Sequence, residues 1–127
     1  MHIRLEHVNV TSPNPQKTSN WMEKVFDLQI LWQGETVDNG YTIHIGNADS
    51  YFAIYKPGLK ITPYQRCYSM SGHVNHTGIV VDDLDEIERR VKSVGFEPHI
   101  HADYEPGRRF YFYDDTGLEI EVVSYNS

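Results

Sequence analysis

Imidazole and carboxylate are the reactive groups on offer: seven histidines stand against a single cysteine, Cys67, with 18 acidic and 11 basic side chains. One cysteine cannot make an internal disulfide or a cysteine-rich zinc site, which predicts a reducing, cytoplasmic setting. Several of the histidines recur at alternate positions of strand-like runs, where successive side chains point to opposite faces. Around His7, Val8 and Val10 take one face while Leu5, His7 and Asn9 take the other. Thr77, Ile79 and Val81 play the core part beside His76, and Ile43 and Ile45 do so beside His44. His99 and His101 fall together, opposite Ile100. Near the C-terminus, Phe110, Phe112, Ile120 and Val122 alternate with Arg109, Tyr111, Tyr113, Glu119 and Glu121. One face is therefore apolar and the other rich in ionisable groups.

The elements that must position these residues read as two similar halves. Residues 2–10 alternate as a strand, and 16–28 carry Trp21, Val25 and Leu28 at helical spacing with Met22 and Phe26 beside them. Strand-like runs follow at 29–33, 41–45 and 51–55, separated by Asp38-Asn39-Gly40 and Gly46-Asn47-Ala48-Asp49. Residues 57–72, with Pro57, Gly58, Pro63 and Gly72, show no period and read as a connector. The order then repeats: a strand at 73–81, a helix opened by Asp83 with Glu86 and closed by Gly95, and strands at 97–102, 109–113 and 118–124. Superposing HVNVTSP on HTGIVVD aligns His7 with His76 and places Ala53 opposite Glu121. His7, Ala53, His76 and Glu121 are thus four equivalent positions of an internal repeat.

The expected fold is α+β: two β-α-β-β-β modules, about 1–56 and 73–127, forming one domain with an open, cup-shaped half-barrel of mixed sheet and helices outside. At 127 residues a single core suffices without staples. A formal charge of −7 argues against a nucleic acid or an anionic membrane as partner. The opening MHIRLEHVNV lacks the apolar run of a signal peptide or membrane span.

LEHVNV and NHTGIVVDD, each followed by an amphipathic helix, together with the ending FYFYDDTGLEIEVV, resemble the vicinal oxygen chelate superfamily of glyoxalase I, extradiol dioxygenases, fosfomycin resistance enzymes and bleomycin resistance proteins. The resemblance covers essentially the whole chain. It implies a divalent metal held by His7, His76 and Glu121, with Ala53 standing where glyoxalase I carries a further glutamate. Two histidines and one carboxylate with open positions match the facial triad of non-haem Fe(II) oxygenases. Fe(II) is accordingly the first expectation, with Mn(II), Ni(II) and Zn(II) as alternatives.

The resemblance points first to an extradiol-type dioxygenase acting on a small oxygen-chelating substrate. His101 is then the candidate acid–base and Tyr111 the donor to a metal-bound substrate oxygen, while Arg109, Tyr113, Tyr51 and His44 line the mouth. Asp115 departs from the extradiol ending, which usually has proline there. A glyoxalase-like lyase or a thiol transferase is the alternative, and a non-catalytic drug-binding resistance protein is a further one. RRFYFYDD is also similar to fosfomycin-modifying enzymes, although Tyr125-Asn126-Ser127 is not followed by the further residues those enzymes use. The superfamily also implies a homodimer, with the metal within one chain or shared between two. His2, His73 and His99 are read as structural or surface residues.

Overall fold

The structure is a computed structural model describing residues 1–104 and 107–125. These fall into two compact units, Met1–Thr62 and Pro63–Ser127, so the boundary lies inside the expected connector. The first unit runs β1 (His7–Thr11), α1 (Pro15–Phe26), β2 (Gln29–Glu35), β3 (Tyr41–Gly46) and β4 (Tyr51–Lys56). Its sheet has the order β1-β4-β3-β2, with β1 parallel to β4 and the other pairs antiparallel. The helix starts where Asn14 Oδ1 accepts from the Lys17 amide at 3.0 Å and Pro15 presets the first turn. It stops at Asp27, which turns left-handed at φ 57 and donates its amide back to Glu23. Trp21, Met22 and Val25 bury its apolar side in the core that also holds Ile43, Ile45 and Ile54. Fully buried side chains of this size each contribute roughly 2 kcal/mol of transfer free energy.

The second unit runs β5 (Thr77–Val80), α2 (Leu84–Ser93), β6 (His99–Tyr104), β7 (Gly107–Tyr113) and β8 (Glu119–Ser124), in the sheet order β5-β8-β7-β6. Asp83 caps α2 by accepting from the Glu86 amide at 3.1 Å, and Gly95, at φ 94, closes it by donating to Lys92. Leu84, Ile87, Val91, Phe110, Phe112, Ile120 and Val122 form its core. The chain is thus α+β, as expected: two four-stranded mixed sheets and two helices, neither sheet closing into a barrel.

Both opening strands are shorter than their alternation predicts. β1 pairs only with β4, beginning at His7 opposite Tyr51, and the turn before Tyr51 leaves residues 2–5 no strand to continue along. β5 likewise begins at Thr77 opposite Ile120. His76 therefore sits just outside its strand, at its entry.

Candidate functional site

The register places the repeat in physical space. Asn9 pairs with Ala53 and Gly78 with Glu121, so Ala53 and Glu121 are equivalent, and His7 and His76 each lie two residues before that pair. His44 lies opposite Ala53 as Tyr111 lies opposite Glu121, and Trp32 opposite His44 as His99 opposite Tyr111.

On the first sheet these positions carry rings. His7 stacks on Tyr51 with centroids 4.9 Å apart, Tyr51 on His44 at 4.5 Å, and Trp32 leans on His44 at 5.2 Å. His7 Nδ1 lies 2.9 Å from Glu6 Oε1, and Tyr51 Oη donates to the same oxygen at 3.1 Å. The His7 bond, then the Tyr51 bond, holds the Glu6 carboxyl below its ordinary range.

On the second sheet the same positions carry charge. Glu121 Oε1 lies 2.9 Å from His76 Nε2, and Glu121 Oε2 accepts from Arg109 Nη1 at 2.7 Å. All of this happens on a strand buried on both faces, with Glu121 only 8% exposed. A carboxylate so buried requires partners, and the two it has point it in a fixed direction. Tyr111 meets His76 edge-on at 5.5 Å. Two ligands about 2.1 Å from one octahedral ion and at right angles to each other lie about 3 Å apart. The His76–Glu121 spacing fits that geometry, and neutral imidazole with carboxylate is a donor set suited to a divalent metal. Among the described residues, no third His, Cys, Asp or Glu of this unit completes a three-donor cluster.

A second group adjoins this one. Tyr68 Oη donates to Glu119 Oε1 at 2.5 Å and lies 2.6 Å from Tyr113 Oη. Since Tyr68 has one proton to give, Tyr113 must be the donor to Tyr68. The bond to Glu119 pushes the Tyr68 hydroxyl far above its ordinary range, so it stays protonated. His99 stacks flat on Tyr113 at 4.8 Å. Its Nε2 is buried without a hydrogen bond, 3.8 Å from Glu119 Oε2.

One expectation needs correction. His101 does not share a face with His99: its Nε2 lies 2.9 Å from Glu88 on α2, on the helix side of the sheet. The cause is an irregularity in β6 between His99 and Ala102, where Ile100 adopts φ 50 and an extra residue shifts the alternation. His99, read from sequence as incidental, is the imidazole that faces Tyr111 and Tyr113. Glu119 lies on the ionisable face that its alternation predicts but was given no part in the site, and Tyr68 and Arg66 were missed. For those two the available signal was the pair of tyrosines flanking an arginine in ITPYQRCYSM. That stretch is not a bare connector: Arg66 lies 3.7 Å over the Tyr113 ring, and the Tyr64 ring fills the space beside Gly117.

No helix among the described residues is long and apolar enough to cross a membrane. No curated protein sequence matches the chain. Among solved structures it is similar to a glyoxylase/bleomycin resistance protein/dioxygenase domain from Frankia sp. EAN1pec, at 16% identity and a TM-score of 0.81 over 98% of either chain. It is similar also to the fosfomycin resistance protein FosX from Mesorhizobium loti, at 24% identity and a TM-score of 0.74 over 100% of this chain and 94% of that one. A variant of FosX from Listeria monocytogenes, crystallised with Mn(II) and 1S,2S-dihydroxypropylphosphonic acid, matches at 19% identity and a TM-score of 0.77 over 100% of this chain and 95% of that one. These likenesses show the fold. The family model that describes the Glyoxalase/Bleomycin resistance protein/Dioxygenase superfamily matches residues 4–122, and the chain belongs to that superfamily.

Proposed function

We propose that the protein is a divalent-metal-dependent enzyme acting on a small substrate that chelates through two oxygens. The observation that carries this reading is the His76 Nε2–Glu121 Oε1 spacing of 2.9 Å, with the second carboxylate oxygen fixed by Arg109. His76 and Glu121 are two ligands and His7 the third. The bond between His7 Nδ1 and Glu6 leaves Nε2 as the ligating nitrogen. When bound, the ion supplies Lewis-acid polarisation of the substrate oxygens and, if it is iron, a redox partner for dioxygen. Arg109 holds Glu121 with a single oxygen presented. Tyr111, against His76, would donate a hydrogen bond to a substrate oxygen, and His99, the imidazole that faces Tyr111 and Tyr113, replaces His101 as the candidate acid–base.

The first reaction to test is extradiol opening of a catechol with Fe(II), which the two-histidine, one-carboxylate set favours. A second reading, an oxygen-independent Mn(II) reaction, is favoured by the likeness to FosX, one form of which was crystallised with Mn(II) and a diol phosphonate. Oxygen uptake by the Fe(II)-loaded protein across a catechol panel separates the two. Metal content tests both: the His76→Ala and Glu121→Gln variants should bind Mn(II) at least tenfold more weakly than the wild type. Equal metal in all three would end the proposal. Uptake should also weaken as the pH falls, because protons and metal compete for the same lone pairs. Mixing His7→Ala chains with Glu121→Gln chains distinguishes a site within one chain from one shared by a homodimer, because only the shared site regains metal.

A further inference from the structure

We propose that Arg66, carried by the connecting segment, is the side chain that recognises an anionic substituent, a carboxylate or phosphonate, on the chelating substrate. This inference rests on the metal-dependent reading above and names the substrate class within it.

The arginines of this unit divide by what already holds them. Arg109, which the resemblance places at the mouth, is only 12% exposed at its side chain and is engaged with Glu121 at 2.7 Å. Releasing it to a substrate would strand a buried carboxylate. Arg108 turns to the helix side and pairs with Asp85 at 3.1 Å, and Arg89 and Arg90 pair with Glu86. Arg66 is exposed, and among the described residues no carboxylate lies within ion-pairing distance of it. Among the arginines of this unit, Arg66 is thus the one whose guanidinium rests on a ring rather than on a carboxylate.

Its position is also built. The guanidinium rests 3.7 Å over the Tyr113 ring. That ring is held by its stack with His99 and by the chain of hydroxyls from Tyr113 through Tyr68 to Glu119. Tyr64, seated beside Gly117, ties the same segment down four residues earlier than Tyr68. A guanidinium already restrained loses less freedom on binding an anion, and its planar fork suits carboxylate and phosphonate oxygens. Tyr113 follows Tyr111 by two residues on the same face of β7, a step of roughly 7 Å, and Tyr111 lies opposite Glu121. An anionic group three or four bonds from the chelating oxygens spans that step. The nearest carboxylate of the cluster, Glu119, is 4% exposed and capped by the Tyr68 hydroxyl, so it does not face the incoming anion.

The test titrates methylphosphonate, with its neutral dimethyl ester as the control, into wild-type, Arg66→Met and Arg66→Lys proteins, while Mn(II) binding by the same samples is read by electron paramagnetic resonance. Wild type should bind methylphosphonate and not the ester. Arg66→Met should bind it about tenfold more weakly and Arg66→Lys by an intermediate amount, in keeping with loss of one charge-assisted pair. Mn(II) affinity should be the same in all three. Equal methylphosphonate binding by wild type and Arg66→Met, or none by wild type, overturns the assignment of Arg66. A wild type that fails to take up Mn(II) overturns the metal-dependent reading instead, and the two failures are read on separate signals.

Discussion

Ala53 and Glu121 occupy the same place in two sheets of one topology, and the surroundings of each follow from that exchange. With a methyl group at residue 53, the neighbouring space goes to rings: His7, Tyr51 and His44 stack and Trp32 leans on them, across four strands. With a carboxylate at residue 121, the neighbours become its partners: His76 on one oxygen and Arg109 on the other. A further exchange, Tyr51 against Glu119, brings Tyr68 of the connecting segment onto the second sheet. The two units thus share a backbone plan and differ in dielectric strategy. Stacked rings need little beyond one another, whereas buried carboxylates must recruit cations and hydroxyls.

Four measurements would break or sharpen this contrast. Glu121→Ala should be the most damaging, destabilising by about 3 kcal/mol in urea unfolding, because it takes the carboxylate from a largely buried guanidinium. A loss below 1 kcal/mol would mean that the second sheet does not depend on its charges. The reciprocal change, Ala53→Glu, should cost about 2 kcal/mol, since Ala53 is buried opposite His44 and, among the described residues, no arginine takes the place beside it that Arg109 takes beside Glu121. Unchanged stability there would show the two positions to be interchangeable. The caps provide the symmetrical control: Asn14→Ala and Asp83→Ala should each cost about 1 kcal/mol, equally in the two units. The smallest effect concerns Asp114, whose Oδ1 accepts from Thr116 and Leu118 but whose burial pushes its carboxyl above the ordinary range. The native state therefore takes up this proton before the unfolded chain does, so stability falls as pH rises through the window above the ordinary aspartate value. Asp114→Asn should flatten that slope.

The fold was legible because its signals are local. Asp83 and Gly95 mark the ends of α2 by capping chemistry, and the alternation of Phe110, Phe112, Ile120 and Val122 assigns their faces correctly. The pairing of His76 with Glu121 was legible too, because the repeat and strand parity select both. What escaped was non-local or irregular. The start of β1 depends on where β4 begins, which no residue in 2–6 can report. The placement of Tyr64, Arg66 and Tyr68 on the second sheet has no period, because each contact is made by a single side chain with a different partner. His99 and His101 exchanged roles through one backbone angle that a β-branched residue does not announce.

That angle has a consequence for how such a site changes over time. Ile100 at φ 50 sits where β-branched residues are costly, a strain on the order of 1–2 kcal/mol. The same strain acts as an allocator, sending one imidazole to Tyr113 and the next to Glu88. Ile100→Gly should relieve it and leave the allocation in place. Removing residue 100 altogether would set His101 directly after His99 and opposite Phe110 in regular alternation, so that a single-codon deletion relieves the strain and still keeps each imidazole on its present face.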